Sequence, residues 1–242
     1  MPPTLILVRH AQGRHNVEND FSIHDPDLTE VGNEQCADLR KSLMQNPLAQ
    51  QAGLIVVSPL RRTIQTALRS MDWLIEKGVK VEADAGWQEN STQGCDTGTP
   101  VDKLTQEFPM VDFSTLDPVF PDKTSPAASH YHFTKKAILS RAQVSLKRLY
   151  ERPEKVILVV SHSAFLRLAV SSYWYFNADY RIFDFLPMSG PEDSYRLEQH
   201  ASTKENGGGL GRSWIDPVLL GSSLPEEDPD AVENGNGSSR GY

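Results

Sequence analysis

The sequence predicts an α/β protein, a three-layer α/β/α sandwich around a mostly parallel central sheet. Three observations carry this. Three unbroken apolar runs, Leu5-Ile6-Leu7-Val8, Leu54-Ile55-Val56-Val57 and Val156-Ile157-Leu158-Val159-Val160, have the length and branching of strands buried on both faces. Stretches with helical apolar spacing alternate with them, which makes the strands parallel. Each run also stops abruptly at polar residues: Arg9-His10, Ser58 to Arg62, and Ser161-His162-Ser163.

Taken in order, the first strand runs into a polar loop containing Gly13, His15 and Asn16. Thr29 is placed to cap a helix with Glu30 in its first turn; Leu28, Cys36, Leu39 and Leu43 form its apolar face, and Pro47 limits it. After the second strand, Pro59 suits the first turn of a helix through Gln65, Ala67 and Leu68. A weaker strand covers Val79 to Ala83. From Asp84 to about Phe133 only Val101 to Phe108 looks helical and prolines punctuate the rest, so about 96–133 reads as a lid or insertion. Lys135 to Glu151 is an amphipathic helix with Ile138, Ala142, Leu146 and Leu149 on one face, and Ala164 to Ser171 is the helix after the third strand. Tyr180 to Leu186 reads as an edge strand. Residues 1–201 then form one catalytic domain. Residues 202–242, rich in Gly, Ser, Pro and acids, read as a disordered tail, apart from a docking segment around Trp214 to Leu220.

At 242 residues the chain suits one large domain, and 38% hydrophobic content implies that some segments stay outside the core. The net charge of -8 argues against nucleic acid as a partner. Half of it lies in the last 18 residues, where five acids face one base. Two cysteines, Cys36 and Cys95, are too few for a disulfide framework, and neither has metal-ligand spacing. No apolar run is long enough for a signal peptide or membrane span, so the expectation is a cytoplasmic protein, or a nuclear one, with no membrane partner.

Parallel strands put all three polar run ends on one edge of the sheet. Two histidines and two or three arginines then face one pocket beside helix N-termini, a constellation suited to a dianion such as phosphate. Each piece alone has a bland reading: a histidine after a strand is more often structural, and Arg61 or Arg62 can be a solvated helix face. Their convergence carries the inference.

Arg9-His10 with Gly13 and Asn16, Leu28-Thr29 with Gly32 and Gln35, Ser58-Pro59-Leu60 with Arg62 and Gln65-Thr66-Ala67, and Ser161-His162 resemble the histidine phosphatase superfamily over about residues 4–186, in the branch containing phosphoglycerate mutases. Ala11-Gln12 replaces the usual Gly-Glu; His15-Asn16 and the segments Trp87 to Glu89 and Gly94 to Gly98 resemble a eukaryotic subgroup. The resemblance implies a phosphoglycerate-mutase-like fold with His10 as nucleophile forming a phosphohistidine. It implies that Arg9, Arg62 and His162 hold the phosphoryl oxygens, that Glu89 is the general acid, and that Asn16, Gln12 and Ser163 line the phosphate pocket. Arg62 is preferred to Arg61 for its offset to Gln65-Thr66-Ala67, and Asp96 is the second choice of acid. No metal or cofactor is expected.

The expected function is hydrolysis of a small organic phosphate ester. One alternative is a phosphoglycerate-mutase-type phosphotransferase, which needs cations for a second anionic group; the lid offers only Lys103 and Lys123. Another is a non-catalytic relative binding phosphorylated ligands or proteins. The lid aromatics Phe108, Phe113, Phe120, Tyr131 and Phe133 either pack the lid down or line an apolar substrate pocket. Oligomeric state is not legible.

Overall fold

The structure, a computed structural model, describes residues 1–188, 190, 194–227 and 229. The first strand, β1 (Thr4–Arg9), gives way to a loop holding one turn of helix, α1 (His15–Glu18). Helix α2 (Glu30–Gln45) starts where expected: the Thr29 hydroxyl accepts from Gly32 N at 3.0 Å, and Cys36, Leu39 and Leu43 are buried. Strand β2 (Ala52–Val57) leads to α3 (Arg61–Ser70), with Pro59 just before the helix rather than in its first turn. Then come α4 (Asp72–Ile75), β3 (Lys80–Ala83), α5 (Val101–Glu107) and a two-residue strand β4 (Val111–Asp112). Helix α6 (Lys135–Tyr150) is capped by Thr134 and precedes β5 (Val156–Ser161). Helix α7 (Ser163–Phe165) continues as a π-helical stretch, Leu166–Ser171. The chain then adds β6 (Tyr180–Phe185), β7 (Leu197–Gln199) and α8 (Ala201–Lys204).

The seven strands lie in the order β4-β3-β2-β5-β1-β6-β7. The first five are parallel; β6 runs against β1 and β7 against β6. Alternate residues of the central strands feed two cores. Ile6, Val8, Ile55, Val57, Leu158 and Val160 pack with Leu39, Leu43, Ile64 and Ala67 of α2 and α3. Leu5, Leu7, Leu54, Val56, Ile157 and Val159 pack with Ile138, Leu146 and Phe165 on the other face. This is why the runs read as unbroken apolar: both faces are covered, and each buried Leu, Ile or Val stabilises by about 1.5–3 kcal/mol.

Two expectations are corrected, the edge place of the Tyr180–Leu186 strand and the disordered tail, and between the two readings of the insertion's aromatics most of them pack it down. Strand β6 is not an edge, because β7 pairs with it through Phe183↔Gln199 to Phe185↔Leu197. The 96–133 segment is seated on the body: Leu104, Phe108, Val111, Phe113, Phe120 and Tyr131 are buried in the core under α2 and α3. The tail expected to be disordered from 202 is tied to the body at points as far as Pro225. Asp179 and Arg181, both fully buried, explain it, because buried charges require partners. The Asp179 carboxylate accepts from the N–H groups of Leu210 and Arg212 and from Ser213 Oγ, and Arg181 donates to Trp214 O. Gly221 N donates to Leu168 O at 2.7 Å, and Lys135 N to Pro225 O at 2.7 Å. Most of the acidic stretch after Pro225 lies outside the described residues. Among the described residues no helix is long and apolar enough to cross a membrane.

Candidate active site

The register Arg9↔Ser161 sets the ends of β1 and β5 abreast, so His10 and His162 come together with ring centroids 5.2 Å apart. His10 is buried, and its Nδ1 lies 2.7 Å from Ala11 O. A carbonyl only accepts, so Nδ1 carries the proton and Nε2 keeps its lone pair. Burial and the charges of Arg62 and Arg9 hold the imidazole well below its ordinary pKa of 6.5, hence neutral at pH 7. Ala11 N donates to Thr66 Oγ1, and Asn177 Nδ2 donates to His10 O, which fixes the backbone on both sides. Arg9 donates to Tyr175 O at 2.8 Å and lies over Trp174; burial lowers its pKa to about 10, so it stays charged.

Helix α3 brings in Arg62, which is 1% exposed, while Arg61 turns outward to Glu107. The offset to Gln65-Thr66-Ala67 therefore picked the inward arginine. Arg62 donates to Cys95 O, to Asp96 Oδ1 at 3.0 Å and to His162 Nδ1 at 3.0 Å. The guanidinium only donates, so His162 Nδ1 accepts, and its Nε2–H donates to Ser58 Oγ at 2.8 Å. Both His162 nitrogens are thus engaged within the protein. His162 is fully buried between Arg62 and Ser58, beside the His10 ring.

Glu89 reaches the site from the loop after β3 and is clasped by the start of α7. Its carboxylate accepts from the backbone N–H groups of Ala164, Phe165 and Asn90 at 2.9–3.0 Å. Burial, then the neighbouring Asp96 charge, raise its pKa above the usual carboxylate range; the backbone N–H groups pull the other way. Asp96 pairs with Arg62 and accepts from Ser91 Oγ at 2.6 Å. Two buried cations hold this loop. Lys123 Nζ donates to the carbonyls of Glu89, Ser91 and Asp96 at 2.6–2.9 Å. Arg141 donates to Gln88 O and Asn90 Oδ1 at 2.6 and 2.8 Å.

These groups open onto a cavity of about 370 Å³. Arg9, His10, Asn16, Arg62, Glu89 and Ser163 line it as expected, and Asp96 does too. Gln12 does not: its Oε1 accepts from Thr29 Oγ1 at 2.8 Å, turned toward the cap of α2. That cap presses close, since a Cβ on Gly32 would come 2.3 Å from Gln12 O. His15 also lines the cavity. Asn16 Oδ1 accepts from Gly13 N, so the Asn16 amide donates to His15 Nε2 at 3.0 Å. Gly13 makes room for that ring, because a Cβ there would lie 2.9 Å from His15 Nδ1. Phe21, Phe133, Leu168, Trp174 and Leu224 form an apolar wall, and Arg167 stands among them.

A family model for the histidine phosphatase superfamily (branch 1) matches residues 5–188. The chain belongs to the histidine phosphatase superfamily. A Schizosaccharomyces pombe protein named a probable phosphatase is 32% identical over 170 residues, covering 68% of this chain and 76% of that one. An Arabidopsis thaliana phosphoglycerate mutase-like protein is 31% identical over 206 residues, covering 70% and 74%. Among solved structures, the ecdysone phosphate phosphatase of Bombix mori, in complex with tungstate, aligns with a TM-score of 0.55 at 15% identity over 81% of this chain and 98% of that one, a likeness of fold.

In this histidine phosphatase superfamily member, sequence reasoning gave no role to His15, Lys123, Arg141 or Arg167. Lys123 lies in a proline-broken segment with no periodicity, so nothing marked it as buried. Arg141 sits on α6 in step with Ile138 and Ala142, and a cation on an apolar face was the available signal. Of the insertion's aromatics only Phe133 reaches the cavity; the others pack the segment down. Among the described residues no cluster of three or more His, Cys, Asp or Glu is arranged to hold a metal ion.

Proposed function

We propose that this protein is a metal-independent phosphomonoesterase that hydrolyses small organic phosphate esters through a phosphohistidine on His10. The observation that carries this reading is the His10 tautomer: Nδ1–H is tied to Ala11 O, and the free Nε2 shares a cavity with Arg9 and Arg62. The phosphatase and phosphoglycerate mutase-like names of the relatives support the same chemistry.

Substrate enters with its phosphoryl oxygens against Arg9, Arg62 and Asn16. The Nε2 lone pair of His10 attacks phosphorus, and the ester P–O bond breaks as the N–P bond forms. Glu89, whose pKa burial and Asp96 raise, gives a proton to the leaving oxygen, so the product is an alcohol rather than an alkoxide. Water then attacks phosphorus, Glu89 takes its proton, and the N–P bond breaks to restore neutral His10 and release phosphate. The two arginines carry the charge of the transferring group throughout, the part most phosphoryl-transfer enzymes assign to positioned cations. His162 and Ser58 serve by fixing Arg62, and Asp96 by pairing with it and raising the Glu89 pKa.

The apolar wall and the size of the cavity suit an ester with an organic body larger than glycerate. A mutase-type phosphotransferase is the second reading, favoured by the Arabidopsis relatives' name and by one cavity cation outside the phosphoryl group's circle, Arg167. Incubation with p-nitrophenyl phosphate and with 3-phosphoglycerate in the presence of EDTA tests the proposal. Release of inorganic phosphate, lost in His10→Ala, is expected. Isomerisation of 3-phosphoglycerate without phosphate release would replace it with the mutase reading, and metal-dependent activity would refute it.

A further inference from the structure

His15 reaches the catalytic cavity with a proton that no protein group takes. Asn16 Oδ1 accepts from Gly13 N, so the Asn16 amide donates to His15 Nε2 at 3.0 Å, and that ring nitrogen accepts. Burial and the Arg62 charge lower the His15 pKa to about 4, so at pH 7 the ring is neutral with a single N–H, at Nδ1. His15 is 5% exposed, and among the described residues its Nδ1 has no hydrogen-bond partner. A buried donor left unpaired is costly, so this one gains from any acceptor that enters the cavity.

The loop holds the N–H beside the phosphoryl-binding groups. The His15 ring centroid lies 5.8 Å from that of His10. A Cβ on Gly13 would come 2.9 Å from His15 Nδ1 and 3.5 Å from Arg62 Cδ, so the absence of a side chain at Gly13 leaves Nδ1 open alongside Arg62. Neither carboxylate in the cavity is free to take the proton. Asp96 accepts from Arg62 and Ser91, and Glu89 accepts from three backbone N–H groups. Gly13 O accepts from Asn16 N at 2.9 Å. What is left is an oxygen brought by the substrate.

We propose that His15 is a further phosphoryl-binding residue, donating its Nδ1–H to a nonbridging oxygen of the group that His10 receives. This rests on the hydrolase reading for the place of the reacting phosphate beside Arg9 and Arg62. A neutral donor adds to the two arginines where charge develops on the equatorial oxygens, and Asn16 keeps the proton on Nδ1 by occupying Nε2.

The test titrates inorganic phosphate into the full-length protein by calorimetry. An asparagine amide can stand where Nδ1 stands, and a glutamine amide where Nε2 stands. His15→Asn therefore keeps the proposed donor and gives up the contact to Asn16, and His15→Gln does the reverse. The phosphate Kd is expected to rise about 10–100-fold in His15→Gln, the loss of one hydrogen bond to a charged group, and much less in His15→Asn. An unfolded fraction changes the stoichiometry and leaves Kd untouched. Equal losses in the two variants, a greater loss in His15→Asn, or no phosphate binding by the wild-type protein would overturn the proposal. If either variant fails to fold, spectra of the wild-type protein carrying ¹⁵N-labelled histidine decide. Phosphate is expected to move the His15 Nδ1–H resonance downfield, and an unmoved resonance overturns the assignment. Phosphate binding is read without turnover, so a wild-type protein that binds phosphate as expected and hydrolyses no ester would end the hydrolase reading alone.

Discussion

Because a carbonyl oxygen only accepts, the 2.7 Å contact to Ala11 settles which nitrogen of His10 is free, and the rest of the site follows from similar constraints on single protons. Arg62 only donates, which sets the tautomer of His162; Asn16 accepts from Gly13, which sets the orientation of its amide toward His15. Glu89 is the residue where protonation becomes a rate. As acid in the first step it must hold a proton, so kcat for an alkyl phosphate is expected to fall as pH rises through its raised pKa. The acid limb, set by protonation of His10, lies below 6.5 because that pKa is depressed. Glu89→Gln is expected to cost alkyl esters on the order of 10²–10⁴-fold and p-nitrophenyl phosphate much less, since nitrophenolate leaves without a proton. Equal losses on both esters, measured by steady-state kinetics, would remove Glu89 from the acid's role.

At the scale of elements, strand ends position the phosphoryl-binding groups and one buried lysine ties the acid loop to the insertion. Three carbonyl acceptors around Lys123 Nζ call for three protons, and cutting the ammonium away leaves those carbonyls unpaired. Lys123→Met is expected to lower kcat more than it raises KM and to destabilise the fold by about 2–4 kcal/mol by urea titration. An unchanged kcat would separate the insertion from the acid loop. What was legible beforehand follows the same logic. The three apolar runs, the cap at Thr29 and the inward choice of Arg62 are local or periodic signals that survive in a single sequence. Strand β4 has two residues and no period to detect. Strand β7 and the stretch from Thr203 to Trp214 answer the demands of Asp179 and Arg181, long-range partners that composition cannot pair. Gln12 left the pocket because the Thr29 hydroxyl offered it a nearer bond.

For the whole molecule, the site makes folding depend on pH. His10, His15 and His162 are all held below 6.5 by burial and by Arg62, with His15 at about 4. The unfolded chain therefore binds protons below pH 6.5 that the native state refuses. The contribution of these three histidines is expected to be full above that pH and to fall as pH drops toward the folded values, by at most ~4 kcal/mol per pH unit if all three titrate. The raised Glu89 opposes it, and Lys123, held at about 7, adds to the rise above neutrality. Chemical denaturation at pH 5 and pH 7.5 measures this, and a flat profile would contradict the neutral triad. The same neutrality is what lets His10 act as a nucleophile, and that claim has a direct check. Wild-type protein mixed with a ³²P-labelled ester and quenched in alkali is expected to carry acid-labile, alkali-stable label on the peptide containing His10, with none on His10→Ala. Full turnover by His10→Ala, or label on any other residue, would contradict the account.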